Sequence, residues 1–226
     1  MNLNFERAFQ QAGPLILDGM WVTLRISSIS ILFGMVVGLF FCMMKMSRFP
    51  ALRIISGAYI WVIRGTPMIV QAMFIFFGVN QLLFQVAGFR LDAITSGILT
   101  ITFNAGSYFA EIFRGGINAV PKGQTEAARS VGLSASKTMR KVVLPQAFRI
   151  ALPSTVNQFI ISIKDTSILT VIGVGEIVNR TQFYVGSTFL FFETWILAGA
   201  AYLVILSVLM IITDRMEAWL SYERKG

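Results

Sequence analysis

Apolar residues dominate five stretches of the chain, 20–44, 54–78, 93–113, 152–174 and 194–213, and charged residues return between them. A helix of about 20 mostly apolar residues crosses the hydrocarbon core of a bilayer. In lipid, a helix also satisfies its own backbone hydrogen bonds. The pattern therefore predicts an all-α membrane protein of about five transmembrane helices. Residues 4–17 read as a short helix lying at the surface ahead of the first span. No repeat with a period of 20–50 residues and no low-complexity segment interrupts the pattern, so 1–226 reads as a single transmembrane domain.

The polar segments between the spans differ in charge. Segment 45–53 carries Lys45, Arg48 and Arg53 without an acid. Segment 113–150 carries Arg114, Lys122, Arg129, Lys137, Arg140, Lys141 and Arg149 against Glu126 alone. Of Lys and Arg, segments 1–19, 79–92 and 175–193 hold only Arg7, Arg90 and Arg180 between them. Basic loops stay in the cytoplasm. Five spans then place the N-terminus outside and the C-terminus in the cytoplasm.

Composition narrows the class further. Of 226 residues 55% are hydrophobic and 13% charged, against roughly 25% charged in a soluble domain. The net charge of +8 is concentrated in the two basic loops, where membrane orientation accounts for it without a nucleic-acid partner. Cys42 is the only cysteine and there is no histidine. That excludes an intrachain disulfide and a thiolate metal cluster, and it removes the commonest general base. Glu6 and the lack of a basic stretch ahead of the first apolar run predict that the N-terminus is retained rather than cleaved as a signal.

The basic loop, about 114–150, is too long for a bare connection. Pro121 suits the start of a short helix and Gly132 its left-handed end. Ser134 suits the cap of a second short helix, which Pro145 would end. Two readings fit a helix–glycine turn–helix of this kind: an elbow that joins two spans, or a docking surface for a cytoplasmic partner.

Within this loop Glu126-Ala127-Ala128 is followed after three residues by Gly132, and after nine more by Val142-x-Leu144-Pro145. This spacing resembles the EAA motif of ATP-binding-cassette (ABC) importer permeases, with Val142 where the motif usually has Ile. Gly19-x-x-x-Thr23-Leu24-x-x-Ser27, Arg64-Gly65-Thr66-Pro67, and Asn157-Gln158 with Lys164-Asp165-Thr166-Ser167 resemble the HisMQ-type polar amino acid permeases. The stretch from Ile160 through Val171-Ile-Gly-Val-Gly-Glu176 looks most like glutamine permeases. The resemblance implies a type I importer permease of the bacterial inner membrane, carrying a polar amino acid, with glutamine favoured and other polar or basic amino acids open.

It also implies that Glu126, Ala127, Ala128, Gly132, Leu144 and Pro145 couple the chain to an ATPase subunit, by a helix seated in a groove. The implied partners are two ATPase subunits, a second permease that is identical or homologous, an extracytoplasmic amino acid-binding protein and membrane lipid. The chain has no Gly-Lys pair and so no glycine-rich phosphate loop of its own. ATP and Mg would be used by the partner ATPase, with no cofactor bound by this chain.

Charges and amides inside spans mark candidate functional positions. On the fourth span Ser154, Gln158, Ser162 and Asp165 form one helical stripe, with Asn157 beside it; on the third, Thr100, Asn104, Ser107 and Glu111 form another. Arg64 and Gln71 lie seven apart on the second, where Pro67 frees the carbonyl of Ile63. A substrate path through Asn104, Glu111, Arg64, Asn157, Gln158, Ser162 and Asp165 fits these stripes, and so does interhelical hydrogen bonding. Arg64 with Asp165, and Glu111 with Lys164, are the expected ion pairs. A stand-alone secondary transporter would need a coupling-ion site and often shows internal repeats. An intramembrane enzyme would need a nucleophile–base pair, which this sequence does not display.

Overall fold

The computed structural model describes residues 3–222, with side chains to Arg215. It is helical, and no strand occurs among the described residues. Helix α1, Phe5–Lys45, begins where the Asn4 side chain accepts the Arg7 N–H at 3.1 Å. It then runs without a break past Pro14. The expected surface helix 4–17 and the expected span 20–44 are thus one element. Ala8, Ala12 and Ile16 are buried, with Ala12 and Ile16 in the same core cluster as Ala198 and Ile205 near the chain's end. That packing offsets the single hydrogen bond a proline removes. The Asn4 N–H also donates to the Glu193 carboxylate at 2.8 Å.

Helix α5, Ala93–Asn118, lies along α1 through a seam of small residues. Thr23, Ser27, Ser30, Gly34 and Gly38 of α1 are buried. Opposite them lie Thr102, Ala105, Gly106 and Ala110, also buried. The Ser30 hydroxyl donates to the Ile98 carbonyl at 3.2 Å, and the Thr102 hydroxyl to the Ser30 carbonyl at 3.3 Å. Small residues let two backbones approach and exchange such bonds. On its other side α5 packs against α8, Leu144–Asp165. There Gly116 sits so close that a Cβ would stand 2.8 Å from the Ala147 carbonyl oxygen.

The expected second span 54–78 is a broken helix. Helix α2, Pro50–Gly65, ends at Thr66 and Pro67, both extended. Helix α3, Met68–Met73, follows, then a wider π turn over Phe74–Val79 and helix α4, Asn80–Ala87. Gly88, at φ 69°, closes this run.

After α5 come two short helices, α6, Lys122–Ser130, and α7, Ala135–Thr138. A π turn over Met139–Val143 leads directly into α8. Pro145 therefore does not end a helix. It follows the π turn directly, with the Leu144 N–H still bonded to the Met139 carbonyl, and the helical backbone continues through it into α8. The expected span 152–174 corresponds to α8 followed by a 3₁₀ segment, Thr166–Ile172. An unexpected helix, α9, Ile177–Thr188, precedes α10, Phe191–Tyr222.

Among the described residues three helical runs are long and apolar enough to cross a membrane: Phe5–Lys45, Met68–Ala87 and Phe191–Arg215. The central helices α5 and α8 fall outside that set. They carry Ser96, Thr100, Asn104, Gln158 and Ser162 on buried faces, out of reach of lipid.

Candidate functional site: a protruding hairpin and a polar interior

The hairpin formed by α6 and α7 lies beyond the ends of α5 and α8. Gly132, at φ 84°, turns the chain. The Leu133 N–H reaches the Ala128 carbonyl at 3.2 Å and the Gly132 N–H the Arg129 carbonyl at 3.0 Å, so two carbonyls at the end of α6 are satisfied. The Arg129 guanidinium donates to the Leu133 carbonyl at 2.9 Å and holds the turn from outside. Ser134 caps α7 through the Lys137 N–H. Val120, Val143 and Ala147, buried with Ile117 against them, anchor the hairpin to the helix ends.

The six motif residues separate into two roles in this geometry. Ala128 is buried, while Glu126, Ala127 and Gly132 are exposed on the hairpin. Leu144 and Pro145 are exposed at the start of α8 rather than on α7. The result is a nine-residue helix and a hydrogen-bonded turn whose outer residues are exposed.

The polar positions of the interior are only partly drawn together. The amide of Gln71 donates to the carbonyls of Ile63, at 2.7 Å, and Thr66, at 3.0 Å. The carbonyl that Pro67 leaves without an N–H partner is thereby satisfied by a side chain. Asn104 then donates to the Gln71 Oε1 at 3.0 Å, tying α5 to the break. On α5, Thr100 and Ser107 donate to carbonyls of their own helix, at Ser96 and Asn104. On α8, Gln158 and Ser162 are 3% and 1% exposed. Neither the Gln158 Nε2 nor the Ser162 Oγ has a hydrogen-bond partner among the described residues. Ser154 and Asn157 of the same helix are exposed, and Asp165 is half-buried.

The two ion pairs expected across helices do not form. Glu111 pairs with Arg114 on its own helix, through the Arg114 Nε at 3.2 Å and a shorter Nη2 contact. Arg64 lies over the Tyr108 ring, 5.0 Å from its centre. Lys164 is exposed. A one-turn carboxylate–guanidinium pair needs no second helix to be positioned, and it takes the acid first. Arg64, Tyr108, Glu111 and Ser154 line a cavity of about 370 Å³ between α2, α5 and α8. Tyr108 was not legible as a site residue. Its only signal was an aromatic ring one turn before Glu111.

Glu176 was quoted only as part of a resemblance, yet it is fully buried. Its carboxylate accepts from the Val178 and Asn179 N–H groups at 2.9 and 2.7 Å, which starts α9, and from the Tyr202 hydroxyl at 3.1 Å. Burial pushes the carboxyl pKa up, and these three donors oppose the rise.

The family of binding-protein-dependent transport system inner membrane components matches residues 30–223. The chain belongs to this family. It is 37% identical over 217 residues to the arginine transport system permease protein ArtQ of Bacillus subtilis, covering 96% of this chain and 97% of that one. It is 39% identical over 210 residues to the glutamine transport system permease protein GlnP of Escherichia coli K12, covering 93% and 94%. In structure it is similar to a chain of an amino acid ABC transporter crystallised with histidines, at 34% identity, full coverage of both and a TM-score of 0.84. The MetNI methionine ABC transporter in an inward-facing form shares the fold, at a TM-score of 0.70 and 19% identity. This inner membrane component is thus a translocation subunit and not an enzyme. Its family implies a substrate-binding protein and an ATPase as partners.

Proposed function

We propose that the chain is the path-forming permease of an ATP-driven importer for a polar amino acid, with glutamine favoured and basic amino acids such as arginine next. The observation that carries this reading is near-full-length identity to permeases named for glutamine and arginine transport. The rest of the architecture fits it. Five spans, made of α1, the broken α2–α4 run, α5, α8 and α10, form one permease domain with the N-terminus outside. The α6 hairpin then faces the cytoplasm and seats in a groove of an ATPase subunit, through Glu126, Ala127, Ala128 and Gly132, with Leu144 and Pro145 at the rim.

Five helices are few to enclose a polar path, so a second permease, identical or homologous, completes it about a two-fold axis, and two ATPases bind. ATP and Mg act in those subunits. Closure of the ATPases would move both hairpins and switch the path between outward- and inward-facing states. Asn104, Asn157, Gln158, Ser162 and Asp165, with Arg64 and Glu111 nearer the hairpin, supply the polar groups of the path. The Gln158 Nε2 and Ser162 Oγ are buried without a partner among the described residues, and a solute meets them only in a state in which α8 has shifted to expose them.

The test is ATPase activity of the reconstituted complex with its binding protein, measured with each of the twenty amino acids in turn. Stimulation by glutamine or arginine above the others is expected. Stimulation by none of them would overturn the substrate class.

A further inference from the structure

The cavity between α2, α5 and α8 has an electrostatic feature that the path reading does not use. Its two charged lining residues, Arg64 and Glu111, are opposite in sign. Glu111 is already neutralised by the double hydrogen bond from Arg114. Arg64 makes no hydrogen bond or ion pair among the described residues; it lies over the Tyr108 ring and acts on Glu111 only through space. The cavity therefore holds a surplus cation, a tyrosine ring, and the exposed Ser154 on the facing helix. Gly115, Gly116 and Ile150, on the stretches of α5 and α8 nearest the hairpin, line it as well. A guanidinium presents a fork of N–H donors that matches a carboxylate in two parallel hydrogen bonds. The volume, about 370 Å³, falls in the range of small-molecule sites.

From this we infer that the cavity is a carboxylate-binding station at the hairpin end of the path. Arg64 holds the α-carboxylate of an amino acid, and Tyr108 and Ser154 bound the remainder of the molecule. The inference rests on the proposed amino acid path and adds a second place of residence to it, set apart from the buried amide and hydroxyl of Gln158 and Ser162. Because it recognises the carboxylate, which all amino acids share, it does not choose among side chains. Selection then belongs elsewhere in the complex, and this station governs departure.

The chain offers a clean way to test it. Cys42 is its only cysteine and is buried. In a Cys42→Ser background, Ile150→Cys places one reactive thiol on the cavity wall. The complete transporter in nanodiscs is treated with a maleimide, and the labelling rate is followed as L-glutamine or L-arginine is added. Both are expected to slow labelling several-fold and saturably, while L-glutaminamide and L-argininamide, which lack the carboxylate, leave the rate unchanged. Arg64→Gln should raise the half-protecting concentration about tenfold or more, as loss of a charge-assisted hydrogen bond does. Arg64→Lys should recover part of it.

Equal protection by the amides, or undiminished protection in Arg64→Gln, would overturn the station. So would uptake of glutamine or arginine by the Ile150→Cys transporter with no protection by either. Failure of the wild-type transporter to take up any amino acid would strike the path reading itself, whatever the labelling shows.

Discussion

Along the α1–α5 seam, glycines are set by what lies against them. A Cβ on Gly34 would stand 3.3 Å from the Ala105 Cβ, one on Gly106 2.8 Å from Val37, and one on Gly38 would collide with the Phe109 Cβ. At the tip of the hairpin, Gly132 has nothing within 4 Å and is fixed by its φ of 84° alone. The same residue type thus solves two problems, close approach of helices in one place and a left-handed turn in the other. The difference separates a frame from a handle. The seam has no room for another atom and cannot slide without breaking contacts. The hairpin is held by its own hydrogen bonds and leaves its outer face open to a partner.

The largest effects are expected at the seam. Gly38→Ala should destabilise the protein by about 1–3 kcal/mol, as overpacking does, and Gly38→Val should prevent its accumulation in the membrane. Thermal unfolding of the purified chain reads the first effect and membrane yield the second. A normal yield of Gly38→Val would mean that the helices can part there without penalty.

Behind the seam, α5 holds the broken run through Asn104 and Gln71. Gln71→Ala leaves the Ile63 and Thr66 carbonyls without their donor, at a cost of about 1–3 kcal/mol. The expected outcome is a lowered melting temperature together with a several-fold loss of uptake. Wild-type stability would show that water or lipid headgroups serve those carbonyls equally well.

Gly132→Val should act differently in kind. A side chain in the left-handed region costs roughly 1–2 kcal/mol, confined to the hairpin. Membrane yield and the melting temperature of the isolated permease are expected to stay near wild type, while co-purified ATPase and uptake fall several-fold. Full co-purification would contradict the docking role.

Smaller effects sharpen the picture at the far end of α5. The Asp92 carboxylate caps that helix, accepting the Thr95 N–H at 2.6 Å. Hydrogen bonds from the Thr95 side chain and backbone hold its pKa below the usual carboxylate range. A lowered native pKa means stability that is present above the unfolded value, near 4, and lost as pH falls through the native one. Asp92→Ala should cost about 1 kcal/mol at neutral pH, less where salt screens the exposed group, and the difference from wild type should vanish in acid. A difference that persists unchanged below that range would assign the cap to packing instead of charge. Least costly of all, Gln158→Leu should leave the melting temperature within error, because its Nε2 has no partner to lose, yet lower the uptake rate.

Much of this was legible in the residues. The hydrophobic pattern pointed to an all-helical chain, and Pro121, Gly132 and Ser134 marked the hairpin's start, turn and second cap where the structure has them. Boundaries failed at helix ends. The expected break between residues 17 and 20 is absent, since Ala12 and Ile16 share a core cluster with Ala198 and Ile205 and α1 runs on through it, and Pro145 lies in α8 instead of ending α7. The broken second span was visible only as a freed carbonyl. That Gln71 would close it required knowing that the side chain turns back along its own chain. The interhelical ion pairs were misjudged because adjacency on one helix, Glu111 with Arg114, outcompetes partners that need two helices to meet. Helix α9 gave no warning, since its start depends on Glu176, a carboxyl whose burial depends on contacts distant in sequence.

On the proposed function, this chain forms a path driven by ATP hydrolysed in another subunit docked on its hairpin. The direct measurement is uptake of radiolabelled L-glutamine and L-arginine into proteoliposomes holding the permease, with the ATPase subunit present or omitted and the binding protein supplied outside. Uptake is expected to require ATP inside and the ATPase subunit, and to fall several-fold in Gly132→Val. Uptake of the same rate with the ATPase omitted would contradict it and make the chain a transporter in its own right.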